Sequence, residues 1–295
     1  MKLTLKDWIL ATRPWSFPAS AMPVIVTLAW LYANGIEVNW WLGAAALVNI
    51  ILVHAAGNVW SDYFDYKRGV DREDTFGVKI LTSGKFTTKQ VLRLSITLQV
   101  LAIVMGLFMV YATGLLLLWI GIAGIALSLL YPPLKYHALG DLVILLCYSV
   151  LPMLGTSFIA SGAVHHPVLW LAVPVGLITV AILHANNTRD IETDQRAQIS
   201  TFPMFAGRKV SSWIYVFEVL FPYLWMIGLV VAQVISWPAL FTLLSLPLAW
   251  KNVRMMMNYR EGGIASFATL DEKTAQLQLA FSTLLVIGLV VMHII

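Results

Sequence analysis

Trp40-Trp-Leu-Gly-Ala-Ala-Ala-Leu-Val-Asn-Ile-Ile-Leu-Val-His54-Ala-Ala-Gly-Asn58-Val-Trp-Ser-Asp62-Tyr-Phe-Asp65 passes from an apolar run into a polar cluster with no proline between them. The apolar part, residues 40–61, is long enough to cross a bilayer core, which takes about 20 residues. In the polar part, residues 54, 58, 62 and 65 are spaced by four, four and three, so one helical face carries His, Asn, Asp and Asp. A second apolar run, 167–187, ends the same way in Asn186-Asn187-Thr-Arg-Asp190-Ile-Glu-Thr-Asp194, with Asn186, Asp190 and Asp194 on one face. The pairs Asn58–Asp62 and Asn186–Asp190 are both four apart and stand 128 residues from each other. This reads as an internal duplication in a single domain over 1–295, with motifs at 58–71 and 186–194.

The rest of the chain places these motifs at a membrane. Of 295 residues, 59% are apolar and 12% charged, with a mean hydropathy of +0.80. Soluble domains carry about 25% charged residues, so most of this molecule's exterior faces lipid. Apolar windows at 15–33, 40–61, 92–111, 114–131, 141–161, 167–187, 212–233, 237–253 and 276–295 predict nine transmembrane helices, arranged as two four-helix halves plus one. The eighth is short, and its prolines 238 and 247 also suit a re-entrant segment. Pro14 to Tyr32 reads as a retained helix, with no cleavage pattern before it. Leu3, Leu5, Trp8 and Ile9 beside Lys2 and Lys6 read as a short interfacial segment.

With the N-terminus cytoplasmic, all 19 Lys and Arg fall on the cytoplasmic side, which fixes the expected orientation. The expected location is the cytoplasmic (inner) membrane, multi-pass, with the N-terminus and motif loops inside. The net charge of +4 then reflects positive-inside topology, and no nucleic-acid partner is expected. The single cysteine, Cys147, leaves no disulfide framework and no Cys-based metal site. Thirteen of the fifteen acids share the cytoplasmic side, the exceptions being Glu37 and the intramembrane Glu218.

Paired acids at two helix ends suit diphosphate binding through Mg²⁺, which takes oxygen ligands from one or two carboxylates plus substrate phosphates. Four converging carboxylates repel one another unless cations lie between them. Solvated helix-end acids would account for one motif; two in register at the same depth favour a built site. The competing class is a cation-coupled transporter. Transporter sites lie near the bilayer midplane between broken helices, whereas both motifs here sit at span ends in parallel halves.

On these residues, with Arg13-Pro14, Leu81-Thr-Ser-Gly84, Tyr131-Pro-Pro-Leu-Lys135, Gly140-Asp141-Leu142, and Thr201 with Gly207, the chain resembles the UbiA superfamily of membrane aromatic prenyltransferases over nearly its whole length. Within it, His54-Ala-Ala-Gly-Asn58, Gly69-Val-Asp71 and Asn186-Asn-Thr-Arg-Asp190 are most similar to 1,4-dihydroxy-2-naphthoate polyprenyltransferases of menaquinone biosynthesis. The resemblance implies an all-α membrane fold around a central cavity, with a lateral gap for the prenyl chain. It implies a prenyltransferase that takes a polyprenyl diphosphate and an aromatic acid acceptor, with Mg²⁺ as cofactor and loss of the naphthoate carboxylate as CO₂. It assigns Asp62, Asp65, Asp190 and Asp194 to the metal. Arg68, Lys79, Lys135, Asn58, Asn186 and Asn187 go to the diphosphate, and Lys135, Tyr131 and Asp71 to catalysis. The alternative acceptor is 4-hydroxybenzoate; that branch has an Asp where Gly69 stands, and many relatives have Lys-Arg at Ile199-Ser200.

Single residues carry competing readings. Lys135 could merely snorkel at its helix end, but its spacing from Tyr131 favours function. Tyr63, Tyr66 and Tyr131 could face an allylic cation or belong to an interfacial belt. His54 reads first as a buried structural histidine, and Glu218 as a functional suspect. Arg13 fits either the diphosphate or anionic lipid.

Overall fold

A chain in lipid must satisfy its own backbone groups, and here every long apolar run does so as a helix. The computed structural model describes residues 3–76 and 80–294, leaving the diphosphate candidate Lys79 outside the described residues. A short α1 (Leu5–Ala11), closed by a Thr4/Asp7 capping box, lies before the first crossing, α2 (Pro18–Ala33). Then come α3 (Trp40–Arg68), α4 (Thr88–Thr113) and α5 (Leu116–Lys135). The fifth crossing joins α6 (Gly140–Leu145) to α7 (Leu151–Ser161) through a π-helical turn, Leu146–Val150. Pro152, which has no N–H to give, stands just beyond that turn. Next are α8 (Leu169–Arg189), the short α9 (Ile191–Arg196) and α10 (Phe202–Val231), bent where Gly207 takes φ 74°. The chain finishes with α11 (Leu246–Met257), α12 (Tyr259–Gly262) and α13 (Leu270–Ile294).

Among the described residues, eight helices are long and apolar enough to cross a membrane. The expected span 237–253 is instead a 3₁₀ segment, Trp237–Ser245, continued by α11, with proline at the start of each piece. It still carries the chain across. Arg208 of α10 donates to Thr188 O at one face, and Trp225, near the other end of α10, donates to Trp170 O at the start of α8. The last helix begins back at the first face, where Asp271 pairs with Arg189, and ends with the His293 ring tilted against Tyr32, their centroids 4.1 Å apart. The broken piece is therefore a crossing, not a re-entrant segment.

Several helices outrun their expected spans, and this positions the motifs. The 29 residues of α3 rise about 43 Å at 1.5 Å per residue, against a hydrocarbon core of about 30 Å. Trp40 and Trp41 are exposed at one end, and the surplus at the other end holds Asp62 and Asp65 above the core. Helix α8 is the packed centre: Leu171, Val175 and Ile178 meet Tyr215, Met226, Leu277 and Phe281 in one buried cluster. By contrast, α4 and α5 turn Val104, Phe108, Tyr111 and Trp119 outward.

Candidate functional site

The extended end of α3 and the end of α5 open onto a single cavity of about 960 Å³. Its walls are apolar, from Ile50 and Val53 through Leu118, Ile125 and Ile144 to Leu151 and Pro152 beside the π-helical turn. Its mouth is polar: Arg13, Asn58, Asp65, Tyr131, Lys135, Asn186 and Asp271. Lining residues run along α5 from Lys135 to Leu117, about 27 Å at 1.5 Å per residue. The cavity therefore reaches through most of the bilayer.

At the mouth, protein cations already answer the repulsion among the acids. Arg13 is ion-paired with the buried Asp62. Lys135 Nζ lies 2.9 Å from Asp65 Oδ2, and Ser61 donates to the same oxygen at 3.1 Å. Tyr136 OH donates to Asp65 Oδ1 at 2.8 Å. Arg189 grips both oxygens of Asp190, at 2.8 and 2.9 Å, and reaches Asp271 Oδ2 at 2.9 Å. Burial opposes charge on Arg13, but the Asp62, Asp71 and Asp65 carboxylates more than offset it, so its pKa rises and it stays charged. Burial pushes the Asp194 carboxyl up to about 7 against the opposing pull of Lys135, with Asp190 and Asp65 adding to the rise. Lys135 thus lies in the field of both motifs. Tyr136 is pushed well above the usual phenol range by burial and then by the Asp65 carboxylate.

Local backbone explains two features of the motifs. Arg13 precedes proline, where right-handed helical geometry is disfavoured; it takes φ 56°, ψ 59°, and its carbonyl accepts from Ser16 N and Oγ. Gly69 ends α3 at φ 75°, donating to Tyr66 O while Val70 N reaches Asp65 O. An aspartate would be strained there. The third acid stands two residues later, where Asp71 N donates to Asp65 O at 3.2 Å. Ile199 is buried against Val70 and Tyr136, and Ser200 N donates to Tyr136 O at 3.0 Å. This contact ties the loop after α5 to the loop after α9, and so one motif to the other.

The remaining predicted residues divide. Asn58 faces the mouth and donates to Thr12 O and Ser16 Oγ. Asn186 also lines it and donates to Asp271. Asn187 is buried but does not line the cavity, and Arg68 is exposed, its guanidinium 5.9 Å from the Tyr136 ring centre. His54 lines the cavity between Ser20 and Ser16, with Tyr148 edge-on at 4.7 Å. Sequence reasoning passed over Tyr136, Arg189 and Asp271. Arg189 stood inside a motif read for its acids, and the acidic pair Asp271-Glu272 on the motif side was the one available pointer to the third.

A membrane bundle whose apolar cavity is closed at one end by acids and cations suits transfer of a long lipid chain from a charged head group. The chain belongs to the UbiA prenyltransferase family, whose model matches residues 20–261, and it is a prenyltransferase, not a transporter. It is similar to UbiA prenyltransferase domain-containing protein 1 of Xenopus tropicalis, 32% identical over 289 residues covering 96% of this chain and 81% of that protein. The protein of that name from Homo sapiens is 31% identical over 290 residues, covering 96% and 83%. Among solved structures, a UbiA homologue from Aeropyrum pernix K1 shares the fold with a TM-score of 0.68 at 15% identity, covering 98% of this chain and 99% of that one. A UbiA homologue from Archaeoglobus fulgidus bound to GPP and Mg²⁺ gives 0.58 at 14% identity, covering 94% and 99%.

Proposed function

We propose that this enzyme transfers a polyprenyl group from a polyprenyl diphosphate to 1,4-dihydroxy-2-naphthoate, as in menaquinone biosynthesis, with Mg²⁺ as cofactor. The observation that carries this reading is that Asp65 and Lys135, ion-paired at 2.9 Å, line the mouth of one long apolar cavity together with Asn58 and Asn186 of the two motifs, while Lys135 also acts electrostatically on Asp194. The Archaeoglobus homologue's complex with GPP and Mg²⁺ supports it.

The donor set fits magnesium. Asp62, Asp65, Asp190 and Asp194 offer only oxygens, and Asp62 Oδ2 is buried with no hydrogen-bond partner. Arg189 occupies two of the roughly four lone-pair sites of Asp190, leaving others for a metal. When bound, Mg²⁺ neutralises charge on the departing diphosphate. Lys135, Arg13, Arg68 and Lys79 would hold the diphosphate, with Asn58 and Asn186 at the rim. The C1–O bond breaks with its electron pair going to the diphosphate, and a ring carbon attacks C1. The apolar walls keep water from the allylic cation, and the ring faces of Tyr131 and Tyr148 stabilise it. The bicyclic acid loses its carboxylate as CO₂. Asp71, brought beside Asp65 by the Gly69 turn, caps the acceptor. We further propose that the two motifs descend from a duplication within one domain, and that they face the cytoplasm.

The naphthoate assignment rests on the Asp65–Asp71 spacing and the two Asn-containing stretches. Its test is kcat/KM for 1,4-dihydroxy-2-naphthoate against 4-hydroxybenzoate with one prenyl donor. The naphthoate should win by at least about tenfold, or about 1.4 kcal/mol; preference for the benzoate would overturn the acceptor while leaving the reaction class intact.

A further inference from the structure

One group of ionisable side chains lies outside the cavity and has no part in the mechanism above. His184 of α8, Glu218 of α10 and Asp141 at the start of α6 meet where the three helices pack. The His184 side chain is fully buried, and those of Glu218 and Asp141 are 7% and 19% exposed. His184 Nδ1 stands 3.2 Å from Glu218 Oε1 and 3.5 Å from Asp141 Oδ2, and one donor atom from each residue falls within 4.8 Å of the others.

Two carboxylates aimed at one ring nitrogen favour positive charge between them, from a proton on the ring or from a metal ion. A charge-assisted N–H···O bond is about 2.7–2.9 Å long; both contacts are longer. Donors around a tetrahedral zinc-sized ion, at about 2.0–2.2 Å from it, stand roughly 3.3–3.6 Å apart. The two N···O separations, 3.2 and 3.5 Å, fall near that spacing. His184 Nδ1, Glu218 Oε2 and Asp141 Oδ1 are also buried without a hydrogen-bond partner. On the other side of the ring, Nε2 is 2.7 Å from Ser211 Oγ. Donation from Nε2–H to that hydroxyl leaves the Nδ1 lone pair facing the acids, the outer contact that orients a metal-ligating histidine.

We propose that His184, Glu218 and Asp141 bind a divalent ion of the zinc class, at a site distinct from the all-oxygen motifs. Imidazole with two carboxylates suits zinc, whereas Mg²⁺ prefers oxygen alone. Three protein ligands leave a fourth position for water, and the partly exposed Asp141 gives the entry path. The ion would pin α6, α8 and α10 together. Two of these bear on the mouth: α8 carries Asn186, Arg189 and the capping Asp190, and α6 follows the loop of Tyr136. It is a staple behind the cavity wall, and it stands or falls independently of the acceptor and of Mg²⁺ dependence.

The test titrates the purified full-length protein with Co²⁺ in excess Mg²⁺, which occupies the oxygen motifs. The expected result is one equivalent bound, with the visible absorption of a four-coordinate cobalt site, displaced by Zn²⁺. Glu218→Gln and the milder Asp141→Asn should each weaken binding at least tenfold, while Asp65→Asn should not. Zn²⁺ should raise the thermal midpoint of the wild type and of Asp65→Asn, and not that of Glu218→Gln or Asp141→Asn. Absence of saturable Co²⁺ or Zn²⁺ binding by the wild type would overturn the proposal, as would binding that survives Glu218→Gln and Asp141→Asn or is abolished by Asp65→Asn.

Discussion

At Gly69 the path of the first motif depends on a single backbone angle. With φ at 75° it turns the chain so that Asp71 comes back to Asp65, and an L residue there costs about 1 kcal/mol or more. Gly69→Asp is expected to lower the thermal midpoint in detergent by a few degrees, and an unchanged midpoint would contradict that reading. Around Asp65, Lys135 and Tyr136 hold one oxygen each. A hydrogen bond to a charged group is worth about 1.5–3 kcal/mol, so Tyr136→Phe should cut kcat about ten- to a hundredfold while the protein stays folded. Lys135→Met, which removes the charge shared with Asp194, should cut it further. Steady-state kinetics on the two variants checks both, and near-normal turnover in either removes that residue from the site. The acids and Lys135 were legible because helical spacing and the Tyr131–Lys135 stretch are local patterns. Tyr136, Arg189 and Asp271 were not, because the Tyr136–Asp65 and Arg189–Asp271 contacts span 71 and 82 residues of chain and only the packing of α3, α5, α8 and α13 selects them.

Hydropathy located the helices well and their ends poorly. The membrane fixes how much of a run must be apolar, not how far its helix continues into water; α3, α4 and α10 continue by a turn or more at the motif face. The segment after α10 shows the converse, where prolines break a run that hydropathy reads as one helix. That broken crossing is held against α13 at Gly288, where an added Cβ would lie 2.3 Å from Pro238 O, with no flexible side chain to give way. Gly288→Ala should therefore destabilise by about 1–3 kcal/mol. Gly121→Ala, where nothing lies within 4 Å of the new atom, should not. Thermal midpoints of the two variants in one detergent decide it; equal midpoints would mean that this crossing is loosely packed. The π-helical turn had no periodic signature at all, since it lies inside one apolar run.

Taken whole, the sequence puts every Lys and Arg and both acidic motifs on one side of its apolar windows, an asymmetry that depends on counting, not on packing. Cysteines placed at Lys85 and Lys209 in a Cys147→Ser background should react with impermeant reagents only from the cytoplasmic side, and one at His165 only from outside; the reverse pattern would invert the orientation. What no local pattern could supply is that the two motifs form one site, and this is the account's central claim. Groups that act as a unit lose function together, not multiplicatively. The direct measurement is Mg²⁺-dependent transfer of a radiolabelled prenyl group by purified wild type, Asp62→Asn, Asp194→Asn and the double variant. The prediction is that either single change abolishes most transfer and the double adds little beyond it. Near-normal turnover in either single variant, or losses that multiply in the double, would contradict a shared site.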